Sequence, residues 1–72
     1  HQCIIGDFVN ICPSVTLGGN VRIGNNVYLG PATCVKRNVS IGNDIVIGAM
    51  SFVENSLDQP GFYQGRPAVL IG

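Results

Sequence analysis

The chain has 72 residues, enough for one small domain and a limited core, and its four basic and four acidic side chains cancel. That balance gives no electrostatic footprint for nucleic acid or an anionic membrane, and no apolar run approaches the roughly 20 residues a helical span needs. Ten glycines, four prolines and many β-branched aliphatics favour short strands and turns over helices. In chain order, every sixth residue from Ile5 is aliphatic: Ile5, Ile11, Leu17, Ile23, Leu29, Val35, Ile41, Ile47 and Val53. Glycine usually follows, at Gly6, Gly18, Gly24, Gly30, Gly42 and Gly48. Four places after each aliphatic comes a compact, mostly β-branched residue: Val9, Val15, Val21, Val27, Thr33, Val39, Ile45, Ser51 and Leu57.

A period of six excludes an amphipathic helix, whose apolar positions recur near 3.6, and reads as a short strand followed by a turn. The aliphatic residue points inward, a smaller inward residue follows, and corners fall between them. Asn20, Asn25, Asn26, Asn38, Asn43 and Asp44 suit such corners because they tolerate positive φ. Pro13 and Pro31 suit them because no ladder donor is needed there. The pattern resembles the hexapeptide-repeat signature of left-handed β-helix transferases, in which three hexapeptides make one triangular coil. The resemblance implies an all-β left-handed parallel β-helix over residues 1–58, with coils at 5–22, 23–40 and 41–58. Residues 18 apart then stack at the ordinary strand spacing of about 4.8 Å. After Asp58 the period breaks, and residues 59–72 read as a turn and one extended segment of the same domain, capping the last coil.

The same arithmetic assigns the outer surface. Asn10, Tyr28 and Val46 share one outward column, and Thr16, Cys34 and Phe52 share another. So much apolar surface on so small a unit calls for a partner, and the transferases it resembles assemble as trimers. A homotrimer is therefore expected. Cys3, Cys12 and Cys34 cannot all pair within one chain and lack metal-type spacing, so they read as free thiols in a reducing compartment. With no secretory signal visible, the expected location is cytoplasmic. The chain begins inside a repeat without Met, as expected of a part of a longer protein.

The opening His1-Gln2-Cys3-Ile4-Ile5-Gly6 resembles a His-Glu/Asp-Cys-Val-Ile-Gly stretch of bacterial sugar acetyltransferases, including the nucleotide-sugar N-acetyltransferases of the sialic-acid and bacillosamine pathways. The likeness continues through Gly6-Asp7-Phe8, Gly19-Asn20-Val21, Ile23-Gly24 and Gly65-Arg66-Pro67-Ala68. It covers essentially this whole chain but only the C-terminal half of those enzymes, which also carry a Rossmann-like nucleotide-sugar-binding domain. The resemblance implies acetyl transfer from acetyl-CoA to a small-molecule amino-sugar acceptor. His1 would be the general base, a role suited to its near-neutral pKa, and Gln2 would orient it. The Gly19 N–H would contact the thioester carbonyl, and Asn10 would meet the acceptor. Gly19, Gly65, Arg66, Pro67 and Ala68 would line the coenzyme site. The stacking interval of 18 independently puts residues 1, 19, 37 and 55 in one corner column, so Arg37 is expected beside Gly19 along the coenzyme, with Arg37 and Arg66 meeting phosphate.

Two positions depart from the family's pattern: Gln2 replaces an acidic residue, and Asn10 stands where many relatives have a second histidine. The alternative is a non-catalytic trimeric scaffold that keeps the family's shape. A carbonic anhydrase on this fold needs three histidine ligands and the chain has one; an ice-binding helix needs a threonine array, and Thr16 and Thr33 are the only threonines. No metal site is expected.

Overall fold

The computed structural model describes residues 2–72, so His1 lies outside the described residues. The chain is an all-β parallel solenoid of about three turns with no helix. Nine short strands form three sheets, one per face. β1 (Ile4–Ile5), β4 (Arg22–Ile23) and β7 (Ser40–Ile41) make the first. β2 (Asn10–Ile11), β5 (Val27–Leu29) and β8 (Ile45–Ile47) make the second, and β3 (Thr16–Leu17), β6 (Cys34–Val35) and β9 (Phe52–Val53) the third. The pairing is parallel, with residues 18 apart in register, as in Ile5↔Ile23, Leu29↔Ile47 and Val35↔Val53.

The corners repeat as strictly as the core. Phe8, Ser14, Asn20, Asn26, Ala32, Asn38, Asp44 and Met50 all adopt φ between 58° and 65°, one every six residues. Asparagine at three of these places and aspartate at a fourth are cheap choices. At Phe8, Ser14, Ala32 and Met50 the fold imposes the left-handed conformation on residues that do not favour it, at about 1 kcal/mol or more each. Asn25 and Asn43, also expected in corners, act differently. The Asn25 Oδ1 accepts from the Asp7 N–H at 2.8 Å, and the Asn43 Oδ1 accepts from the Asn25 N–H at 2.7 Å. These side chains tie one coil to the next where the backbone has no partner to offer.

The core is the interior column of the upper coils: Val21, Ile23, Val27, Leu29, Val35, Val39, Ile41, Ile45, Ile47 and Val53 are buried, joined by Tyr63. The first coil departs from the expected core. Ile5 is 44% and Ile11 42% exposed, with no described coil beneath them.

The top of the solenoid also differs from the arithmetic. Beyond Val53 the stacking interval shortens from 18 to 16, so Leu57 bridges Ile41 and Gly61 pairs with Ile45. The strict period would have stacked Gln59 over Ile41 and buried an amide in an aliphatic column, a costly arrangement without partners. Dropping two residues puts Leu57 there instead. The tail, expected as one extended segment, is a hairpin of β10 (Gly61–Gly65) and β11 (Ala68–Leu70). β10 adds in parallel to β8, and β11 returns antiparallel beside it. Tyr63 enters the core over Ile47, with its hydroxyl donating to the Gln59 carbonyl at 2.6 Å.

Candidate functional site

The three corners of the coil have distinct chemistry. Asp7-Phe8, Asn25-Asn26 and Asn43-Asp44 stack at the first, and Pro13-Ser14, Pro31-Ala32 and Ala49-Met50 at the second. At the third, Gly19-Asn20 lies next to Arg37-Asn38. The third corner carries an open groove of about 390 Å³ lined by Gly19, Asn20, Arg37 and Asn38. The Asn38 N–H donates to the Gly19 carbonyl at 2.9 Å, and the Asn20 amide donates to the Asn38 Oδ1 at 2.9 Å. These bonds hold the two levels of the groove together. Glycine at position 18 lets the levels approach closely, since a Cβ there would fall 2.7 Å from the Arg37 Cα.

The Gly19 N–H stands out by comparison with the first corner. The equivalent N–H groups of Asp7 and Asn25 are taken by asparagine oxygens from the coil above. Above Gly19 stands Arg37, a side chain with donors and no acceptor. The asparagine cap seen at Asp7 and Asn25 is therefore not made at Gly19. A groove lined by a glycine backbone and an exposed guanidinium suits a ligand carrying carbonyl and anionic oxygens.

Gly19 and Arg37, singled out from the repeat arithmetic, are thus brought together. Asn20 and Asn38 line the same groove, and sequence reasoning had assigned them only to turns; their spacing of 18 was the available signal. The tail residues are not in this groove. Gly65, Arg66, Pro67 and Ala68 form the hairpin turn, above the second corner, with the Arg66 Nη1 donating to the Met50 carbonyl at 3.1 Å. The face of β3, β6 and β9 separates the two sets within one chain. Gln2 is exposed, and Asn10 is exposed on β2 opposite Tyr28. The expected role of His1 falls on a residue outside those described. Among the described residues, no three His, Cys, Asp or Glu side chains gather as metal ligands.

Hexapeptide coils with a groove of this kind can be set beside known proteins. The family model described as bacterial transferase hexapeptide (six repeats) matches residues 2–37 and 20–55. This chain belongs to the hexapeptide-repeat transferases.

Solved structures narrow the relationship. PerB from Caulobacter crescentus, in complex with CoA and GDP-perosamine, superposes with a TM-score of 0.91 at 31% identity, over 100% of this chain and 35% of that one. A point mutant of AntD, an N-acyltransferase from Bacillus cereus, in complex with dTDP-4-amino-4,6-dideoxyglucose and coenzyme A, gives a TM-score of 0.91 at 26% identity. That match covers 96% of this chain and 50% of AntD. A mutant of perosamine N-acetyltransferase from Caulobacter crescentus, again with CoA and GDP-perosamine, gives 0.80 at 31% identity, over 97% and 30%. The chain therefore spans between about a third and a half of these relatives. No curated protein matches it significantly. It is related to acyl-CoA-dependent N-acyltransferases of nucleotide-linked amino sugars.

Proposed function

We propose that this chain is the coenzyme-facing part of an acetyltransferase that moves an acetyl group from acetyl-CoA to an amino sugar carried on a nucleotide. The observation that carries the reading is the third-corner groove, which Gly19 and Arg37 line together. Its support is the likeness to PerB and AntD, both in complex with coenzyme A and an amino sugar on a nucleotide.

In this reading the acceptor's amine attacks the thioester carbonyl carbon, its nitrogen forming the new C–N bond as the C–S bond breaks. The carbonyl oxygen gains negative charge, which the Gly19 N–H stabilises. His1 takes the proton that the nitrogen sheds, and Gln2 orients the ring without supplying charge. Asn10 offers hydrogen bonds to the acceptor and no proton-transfer group. Arg37 pairs with phosphate of the coenzyme, and the Gly65-Arg66-Pro67-Ala68 turn forms a second wall. Because one chain holds the groove and the turn at different corners, a coenzyme meeting both takes them from two copies. The proposed assembly is a homotrimer, and the three free thiols support a cytoplasmic, reducing setting.

Calorimetric titration with CoA tests the site. Arg37→Ala is expected to weaken CoA binding roughly tenfold at low salt, a charge-assisted hydrogen bond being worth about 1.5–3 kcal/mol. The loss should shrink as salt screens the exposed pair. An unchanged affinity would remove Arg37 from the site. Wild-type protein that takes up no CoA would favour the scaffold alternative.

The assembly has its own test. Tyr28, Val46 and Phe62 form an outward apolar column across β5, β8 and β10, at 40%, 40% and 36% exposure in the isolated chain. Phe62, contributed by the tail, extends the column beyond what the repeats indicated. Within it, the Tyr28 phenol ionises above its usual range, chiefly through the neighbouring Cys12 thiol. Val46→Lys would bury an unpaired charge between copies. It is expected to convert the trimer to monomer at micromolar concentration in light scattering. A wild-type monomer, or a mutant that assembles normally, would refute this placement of the interface.

A further inference from the structure

The second inward residues of the coil are aliphatic on two of the three faces: Val9, Val27 and Ile45 on one, Val21 and Val39 on another. On the third, the column changes along the axis from Val15 to Thr33 to Ser51. Thr33 and Ser51 are both fully buried. A hydroxyl in such a column costs stability unless it is bonded, so its position next to the tail calls for a reason.

The bonding supplies one. The Ser51 hydroxyl donates to the Gly48 carbonyl at 2.8 Å and accepts from the Gly65 N–H at 3.2 Å and the Gln64 Nε2 at 3.3 Å. Its single proton and both lone pairs are therefore used. The Gln64 amide also donates to the Ala49 carbonyl at 2.9 Å, and it lies across Gly48, where a Cβ would run into it. Thr33, one coil lower, makes only the bond to the Gly48 carbonyl, at 3.1 Å. The tail turn is thus bolted to the top of the second corner through Ser51, and through Ser51 alone among the buried side chains described.

From this geometry we infer that Ser51 is a positioning residue: through Gln64 and the Gly65 N–H it fixes the Gly65-Arg66-Pro67-Ala68 turn in the orientation that meets the coenzyme. The inference rests on the coenzyme reading proposed above. Ser51 itself touches no ligand. It acts by holding against a rigid corner a two-strand hairpin that is otherwise anchored by β10 on β8, by the Gln64 amide on the Ala49 carbonyl and by one bond from the exposed Arg66.

The column itself supplies the variants. Valine and threonine already occupy it at positions 15 and 33, so Ser51→Val keeps an accepted shape and removes the hydroxyl, while Ser51→Thr restores it. Thr33→Val removes a hydroxyl with the same carbonyl partner and no bond to the tail. With CoA as the probe in calorimetry on the whole chain, S51V is expected to bind roughly tenfold more weakly. S51T and T33V should stay within about twofold of wild type. Amide exchange at Gly65 in the CoA-free protein should accelerate in S51V and remain slow in S51T and T33V.

Wild type that binds CoA while S51V binds it equally well overturns the inference and leaves the coenzyme reading standing. Equal losses in S51V and T33V also overturn it, since they would reflect general loosening of the core. Wild-type protein that binds no CoA fails the coenzyme reading first, and the role given to Ser51 falls with it.

Discussion

Gly30→Ala is expected to destabilise the solenoid by roughly 3 kcal/mol or more, at the upper end of overpacking effects. Gly30 is buried where one coil lies on the next. A Cβ built there would stand 2.7 Å from the Ala49 nitrogen, 2.8 Å from the Ile47 oxygen and 2.9 Å from the Gly48 carbonyl carbon. All three are backbone atoms, so no rotamer change relieves the contact. The coils cannot separate either, because the Gly30 N–H donates to the Ile47 carbonyl at 2.8 Å and neighbouring strands keep their ladder spacing of about 4.8 Å. A chain of this size has a total stability on the order of 4–11 kcal/mol, so the substitution removes a large share. The check is the urea midpoint of wild type and G30A at equal protein concentration, since the proposed assembly would make the midpoint concentration-dependent. Gly72→Ala is the control, for nothing lies within 4 Å of a Cβ at that position. A G30A midpoint equal to that of the control would show that the coils can part there.

This contact also explains why so much of the fold was readable. A parallel coil with 18 residues per turn forces each position to meet its own kind in the next level, so the constraint recurs at a fixed interval in the sequence. The aliphatic columns, the glycines behind them and Asn20, Asn26, Asn38 and Asp44 in the corners all carry that interval. The rest was hidden for a physical reason. At Phe8, Ser14, Ala32 and Met50 the corner conformation is imposed by strands on either side, and residue type does not announce it. The shortening of the last turn depends on which side chain can be buried over Ile41, a comparison of Leu57 with Gln59 that periodicity ignores.

The candidate site divides along the same line. Gly19 and Arg37 stack by the repeat, so their meeting was legible. The turn at Gly65-Arg66-Pro67-Ala68 lies beyond the repeat, and its place above the second corner follows from Ser51, Gln64 and the Met50 carbonyl, contacts that no spacing rule encodes. The difference at Gly19 needed a comparison of corners: the Asp7 and Asn25 N–H groups meet an asparagine oxygen from the coil above, and Gly19 has an arginine above it.

His1→Ala carries the largest expected effect on chemistry, a fall in turnover of roughly 10²–10⁴-fold, the range for loss of a general base. The role comes from the resemblance of His1-Gln2-Cys3-Ile4-Ile5-Gly6 to the sugar acetyltransferases, and by the interval of 18 residue 1 belongs to the same corner column as Gly19 and Arg37. CoA affinity should hardly change, because in the proposed role the imidazole would act on the acceptor's proton and not on the coenzyme. The pH profile gives an independent sign. Only the neutral ring accepts a proton, so turnover should rise with pH through an imidazole ionisation, ordinarily near 6.5, and H1A should lose that limb. Gln2→Glu sharpens the test. A carboxylate beside the ring favours imidazolium, so the ionisation should move upward and activity at mildly acidic pH should fall. Steady-state rates with acetyl-CoA and a nucleotide-linked amino sugar, measured across pH for wild type, H1A and Q2E, read all three effects together. Turnover in H1A equal to wild type would remove His1 from the chemistry, and a Q2E profile unmoved along the pH axis would place Gln2 away from the ring.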